Sequence, residues 1–407
     1  MIHLFINGLA ASAGGGLTYI HNVLPRLANR NRDRNKDDLR VTVLLSRALA
    51  REFKELAGIT ILPSDCRTNT AARFLYEQYE VPRMIRRVAA NVLLSPGNFV
   101  IFHSPVPQIL LSGNALYVSR DFVRDLRERG EYKMWLDNAV RAKFARWSVS
   151  TADCTIAPTA AFASDLRNWT GKDVIAIHHG FDHESFFRDQ SPLPQPMQEK
   201  LAATKGSLRL LLVSHYNYYR NFETLLQALA IIKKKLSPRA VRLILTCTLK
   251  SHDNPGSYRA ESAAALVRSL GISNEIVELG AVPYNSIHHV YKASDYYVTA
   301  AYAETFAHPL VEAMASGLPI IASDIAVHWE ICGQAALYFP PFSAERLAET
   351  LIQASHSAEQ SAAMRTAGLS RSRDFSWEKH VEQLLCLAEA LAEKSRPVRN
   401  EVEAGTR

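Results

Sequence analysis

Residues 303–324 read AETFAHPLVEAMASGLPIIASD, and their setting decides the fold. The apolar run YYVTA at 296–300 stands just before them and LPIIAS fills 318–323, with one short helical stretch between. Pro309 suits a first helical turn, where its missing N–H would be unpaired anyway, and Gly317 suits a helix C-terminus. Strand, loop, short helix and strand in this order describe one turn of a parallel sheet covered by helices.

The same alternation extends outward in both directions. HLFIN (3–7), RVTVLLS (40–46), NVLLS (91–95) and QILLS (108–112) are strand-like runs in the first half. RLLLVS (209–214), VRLILTC (241–247) and EIVELG (275–280) continue the pattern in the second. Runs this uniformly apolar belong to strands buried on both faces, so the expected class is α/β with two doubly wound domains. A chain of 407 residues suits two cores better than one. Residues 188–207, QSPLPQP and its flanks, show no strand pattern and are expected to be the linker. The domains are then 1–187 and 208–375, followed by an amphipathic helix over 376–395 with Ser376 at its N-cap. The polar tail from Ser395 is expected to fray.

Composition narrows the classes. Five scattered cysteines without CxxC spacing argue against a zinc or disulfide framework and for a reducing cytoplasm. MIHLFING enters a strand directly, without the basic start of a signal peptide, and no run approaches the roughly 18 apolar residues of a spanning helix. The net charge of +7 is interleaved with acids and lacks nucleic-acid-binding motifs, so no nucleic-acid partner is expected. Two stretches are basic and amphipathic: Arg83, Arg86 and Arg87 beside Met84, Ile85 and Val88, and Arg141, Lys143 and Arg146 beside Phe144 and Trp147. Such helices can lie on anionic lipid, or simply carry solvated basic faces.

The chemistry centres on the opening stretch. A helix starting near Pro309 at the carboxyl end of a strand would turn the backbone N–H groups around Leu310 and Val311 toward a diphosphate. Glu312, read as lying in the first helical turn, and Glu304 in the loop before it are carboxylates able to accept both hydroxyls of a diol. Glu312 is assigned to a ribose and Glu304 to a sugar. The plainer alternative makes Glu312 a complement of the helix dipole and Glu304 a solvated loop residue. Gly14, Gly15 and Gly16 follow the first strand and allow close approach of a ligand. They do not spell G-x-G-x-x-G, which counts against a nicotinamide enzyme.

The segment from Glu304 resembles the Glu-x7-Glu pattern of family 4 retaining glycosyltransferases. Matching residues are Glu304, Phe306, Pro309, Glu312, Ala313, Met314, Ala315, Gly317 and Pro319, whereas Thr305 and Ala307 stand where glycine is common. The resemblance implies a GT-B fold, two Rossmann-like domains facing a central cleft, the first binding the acceptor and the second the nucleotide-sugar donor. It places the last helix back against the first domain and the glycine loop near donor phosphate and acceptor. It puts Thr305, Phe306, Ala307, His308, Leu310 and Val311 along the donor, and backbone around Val282 beside the base. Arg220 occupies the place of the family's lysine and His215 that of its arginine, both facing the diphosphate. The family's active-site histidine is missing; Asn114 or His103 is its candidate replacement. Glu304, Arg220 and Asn114 are therefore expected at the reacting centre.

The implied activity is metal-independent, cofactor-free transfer of a hexose, with retention, from a nucleotide-diphosphate sugar to an alcohol. The acceptor would be a glycan or lipid-linked glycan of cell-surface polysaccharide or lipopolysaccharide assembly, at the inner face of the cytoplasmic membrane. No Asp-x-Asp motif occurs to chelate a metal. Rival readings are a phosphorylase or epimerase of the same fold, and a non-catalytic nucleotide-sugar-binding protein.

Overall fold

The structure is a computed structural model that describes residues 2–11, 14–33, 39–66 and 70–394. The first sheet comprises β1 (Ile2–Asn7), β2 (Leu39–Ser46), β3 (Thr60–Ser64), β4 (Val92–Ser95), β5 (Gln108–Leu111), β6 (Cys154–Ala157) and β7 (Ile175–Ala176). The second comprises β8 (Leu208–Leu212), β9 (Val241–Leu245), β10 (Ile276–Glu278), β11 (Tyr296–Thr299), β12 (Ile320–Ser323) and β13 (Ala336–Phe339). All pairings are parallel, in the orders β3-β2-β1-β4-β5-β6-β7 and β10-β9-β8-β11-β12-β13. Strand order reverses between β1 and β4 in one sheet and between β8 and β11 in the other. Doubly wound sheets open their ligand crevice at that point, at the strands' carboxyl ends.

The central strands read as unbroken apolar runs because helices cover both faces. Every residue of β1, β4, β5, β11 and β12 is buried. Residues 188–207 are not wholly irregular: Gln195–Ala202 form a helix entered from Pro194, with Leu193 and Leu201 buried in the second domain's core. The prolines that read as a linker serve as a helix start, where the ring's fixed φ is already helical.

The two carboxyl edges face each other. Thr159, just beyond β6, donates its hydroxyl to the Thr305 carbonyl at 2.8 Å. Glu330 of the second domain accepts the N–H groups of Ala160 and Ala161, each at 2.7 Å, capping a first-domain helix. On the flank, Arg129 meets Glu223 at 2.8 Å, and the Tyr302 hydroxyl donates to Asp125 at 2.7 Å. The last helix, Trp377–Lys394, returns to the first domain and packs Val381, Leu384 and Ala388 into its core. Arg26 of the helix Gly14–Asp33 clamps the crossing, binding Asp182 at 2.8 Å and Glu378 at 2.6 Å.

The two basic stretches differ. In the helix Thr70–Val88, Ile85 is fully buried, so Met84, Ile85 and Val88 do not form an outward apolar face. In the helix Tyr132–Thr151, Phe144 and Trp147 are exposed.

At the crossing, a Cβ on Gly180 would overlap the backbone of Ser376 and Trp377. Gly180→Ala is therefore expected to cost about 2–3 kcal/mol and detach the last helix first. Denaturant unfolding together with hydrogen exchange of residues 377–394 checks this; unchanged stability would refute the crossing.

Candidate active site

The helix His308–Ala315 begins beyond the carboxyl end of β11, with Ala307 as its N-cap at φ 63°. Left-handed backbone favours glycine, which gives the physical reason glycine is common at this position of the resembled pattern. Leu310 does not offer a free N–H, because that group donates to the Ala307 carbonyl at 2.9 Å. Glu312 is the fifth helical residue and so lies past the first turn. It is 5% exposed and accepts a hydrogen bond from the Tyr291 hydroxyl at 2.7 Å. Burial raises its pKa to about 7, against the lowering effect of the Tyr291 and Tyr284 hydroxyls, so it is not fully ionised at neutral pH. Sequence reasoning missed Tyr291: its partner stands 21 residues away, on another element.

Glu304 is neither a solvated loop residue nor a free sugar ligand. It forms an ion pair with Arg220, and both side chains are largely buried. Arg220 closes the single turn Tyr218–Arg220 beyond β8, where the Asn217 side chain accepts its N–H at 3.2 Å. Its Nε is buried and lacks a hydrogen-bond partner, a donor held ready for an anion. His215 is exposed at the same loop, and both burial of its ring and the Arg220 charge lower its pKa. The shift leaves the ring less positive charge near neutrality than an arginine keeps.

His308 is the first residue of the helix. Its ring stacks on His179 and Trp377, and burial pushes its pKa down to about 4. Phe306 is buried against the same rings, and the Thr305 carbonyl is taken by Thr159. Val282, in the loop after β10, packs against the second core. From the first domain, Gly14, Gly15 and Gly16 open the helix beyond β1, and a Cβ on Gly14 or Gly15 would meet nothing. Asn114 follows β5 on the cleft side, but its Oδ1 accepts the Leu116 N–H at 3.0 Å. His103 lies in the connection between β4 and β5. It is exposed, beside Phe102, which packs on Trp147 of the helix that leads into β6.

Residues 195–371 match the family model of glycosyl transferases group 1. The chain is 24% identical over 224 residues to mannosylfructose-phosphate synthase of Agrobacterium fabrum, covering 54% of this chain and 48% of that protein. It is 27% identical over 107 residues to O-antigen chain mannosyltransferase B of Escherichia coli, 26% of this chain and 28% of that one. The chain thus matches less than half the length of either relative. Anabaena HepE, solved in complex with UDP-glucose, superposes with a TM-score of 0.69 at 16% identity over 96% of this chain and 100% of that chain. The fold is GT-B.

The matched stretch 195–371 contains both Glu304 and Arg220, so the buried pair is internal to it. Removing one partner strands a charge: Arg220→Met is expected to cost about 3–5 kcal/mol, and Arg220→Met combined with Glu304→Leu to recover most of that. Urea denaturation of the wild type and the two variants measures it; a single-variant cost under about 1 kcal/mol would mean a solvent-screened pair.

Proposed function

We propose that the protein is a retaining glycosyltransferase moving a hexose from a nucleotide-diphosphate sugar to an alcohol, without a metal. The observation that carries this is the buried Arg220–Glu304 pair with its unmatched Nε, beside the helix His308–Ala315 and across from the glycine-led helix of the first domain. Similarity to group 1 transferases and to a fold that holds UDP-glucose supports it. The departing diphosphate would lie at the helix N-terminus and take the Arg220 Nε hydrogen bond, stabilising the charge that develops as the sugar leaves. The acceptor's proton passes to that diphosphate as the new bond forms on the same face. Glu304, held by Arg220, would then accept hydroxyls of the sugar, and Glu312 those of the ribose. Among the described residues no group of three histidine, cysteine or acidic side chains is placed to hold a metal ion.

We further propose that the acceptor is a glycan, free or lipid-linked, of cell-surface assembly, reached from the inner membrane face. Support comes from the helix Tyr132–Thr151, which presents Tyr132, Leu136, Val140, Phe144 and Trp147 to solvent at near four-residue intervals. The contact of Phe74 with Phe144 brings in the neighbouring helix, whose Leu75 and Tyr79 are also exposed. Lys133, Arg141, Lys143 and Arg146 flank the stripe against Asp137 alone on that helix. Aromatic and aliphatic side chains edged by cations match an anionic lipid surface. Among the described residues no helix is long and apolar enough to cross a membrane.

Calorimetric titration with UDP, GDP and ADP, with and without EDTA, tests the donor site. One nucleotide is expected to bind whether or not EDTA is present. With Glu312 near pKa 7, its affinity should rise on the order of five- to ten-fold from pH 6 to 8, as the carboxylate ionises, and Glu312→Gln should flatten that rise. Binding without turnover of any sugar conjugate would favour the non-catalytic rival; turnover only with inorganic phosphate, the phosphorylase. For the membrane, co-sedimentation with phosphatidylglycerol vesicles at low salt is expected and should fall at least five-fold in Leu136→Glu/Trp147→Glu. No sedimentation at low salt would end that reading.

A further inference from the structure

A cavity of about 780 Å³ opens beside β10, the edge strand of the second sheet. Leu249, Val267 and Ile276 give it an apolar wall, and Lys200, Arg242 and Arg268 stand around that wall. Chain order explains why they meet. The chain leaves β9, runs back along the helix Glu261–Ser269 and enters β10 through the turn Ser273–Glu275. A helix joining two parallel strands runs opposite to both, so Arg268, near its end, reaches the level of Arg242, the second residue of β9. Lys200 comes from the helix Gln195–Ala202 and closes the other end, where its Nζ donates to the Glu278 carbonyl at 2.6 Å.

These cations keep their charge unspent. Lys200 meets a carbonyl, and Arg242 donates to another, that of Val241, at 3.0 Å. Neither acceptor carries a formal charge. The Arg268 side chain is exposed and forms no ion pair or hydrogen bond among the described residues. Arg209 provides the contrast: it is the register partner of Arg242 on β8, and Asp295 neutralises it at 3.2 Å. The acid at the cavity is Glu278, whose carboxylate accepts the Leu249 N–H at 3.1 Å. Three cations against one carboxylate leave a charge of +2 around an apolar wall. Like charges gathered without acids repel one another, and a bound anion removes that cost.

The backbone adds a donor. The Leu279 N–H goes inward to the Leu245 carbonyl, so alternation along the strand turns the Glu278 N–H outward, as the bond of its carbonyl to Lys200 shows. Among the described residues no strand pairs with that side of β10. The donor crevice lies elsewhere. Arg220 and the helix His308–Ala315 follow the carboxyl ends of β8 and β11, whereas Arg242 and Arg268 lie toward the amino ends of the outer strands.

We propose that this cavity binds the phosphate monoester of a small apolar alcohol. Its phosphate lies at Arg242 and Arg268, and its apolar body runs along Val267, Ile276 and Leu249 toward Lys200. A phosphate monoester carries about −1.5 to −2 charge at pH 7 and presents three acceptor oxygens, which matches the charge of the lining and the fork of an arginine. A carboxylate, with one charge, would leave half of the lining unmatched. The site does not depend on the glycosyltransferase reading.

Fluorine NMR titration of the full chain with 4-fluorophenyl phosphate, at pH 7.5 and low salt, tests the site. Saturable binding is expected, with affinity at least five-fold lower in Arg242→Gln and in Arg268→Gln. The uncharged 4-fluorobenzyl alcohol should bind at least ten-fold more weakly than the ester, and inorganic phosphate should compete at least five-fold less well than phenyl phosphate. Unchanged thermal midpoints and unchanged nucleoside diphosphate affinity report that both variants are folded and that the donor crevice is intact. Absence of binding, or equal binding by wild type and both folded variants, overturns the proposal, the latter because the probe then sits elsewhere. Equal binding of the neutral alcohol overturns the role of the cations, and equal competition by inorganic phosphate overturns the role of the apolar wall. If no nucleoside diphosphate binds wild type, the donor reading fails instead, and the ester titrations still decide the site.

Discussion

Everything at the site depends on two parallel sheets being held with their carboxyl edges toward each other. Three small polar devices do this at the centre: the Thr159 hydroxyl on the Thr305 carbonyl, the Glu330 carboxylate on the N–H groups of residues 160 and 161, and Arg26 on Asp182 and Glu378. The hydrophobic contribution comes from the last helix, which leaves the second domain and buries Trp377, Val381 and Leu384 against the first. Gly180 lets that helix pass close enough to do so. Without the crossing, each sheet keeps its own core, but its ligand edge faces only water.

Enclosure also sets the electrostatics. A charge pair in a water-excluded cleft interacts more strongly than at a surface, and the same desolvation raises Glu312 and lowers His308. Arg220 and Glu304 neutralise each other, so the site carries little net charge yet keeps a directed donor in the Arg220 Nε. His179, His308 and His380, packed around Trp377 and Tyr19, all have lowered pKa values and form a neutral aromatic floor. They give the crossing its shape rather than its charge.

The fold was legible because buried parallel strands must be apolar on both faces, and runs such as RLLLVS and LPIIAS have no other use. The pair of acids in the 303–324 stretch was legible as a pattern, but not their partners. Glu304 meets Arg220 across 84 residues of chain and Glu312 meets Tyr291 across 21. The helix at Gln195–Ala202 escaped notice because proline marks both linkers and helix starts.

The amino-acid sequence by itself determined the two α/β layers, the short helix with Pro309 in its first turn and the identity of the charged residues around it. These follow from local period, proline and glycine stereochemistry, and the burial demanded by apolar runs. Only the tertiary structure decided that Glu304 is neutralised, that Glu312 is only partly ionised, and that His308 stacks on His179 and Trp377. Each of those facts depends on distance and dielectric between elements far apart in the chain, and neither quantity is written in any one segment.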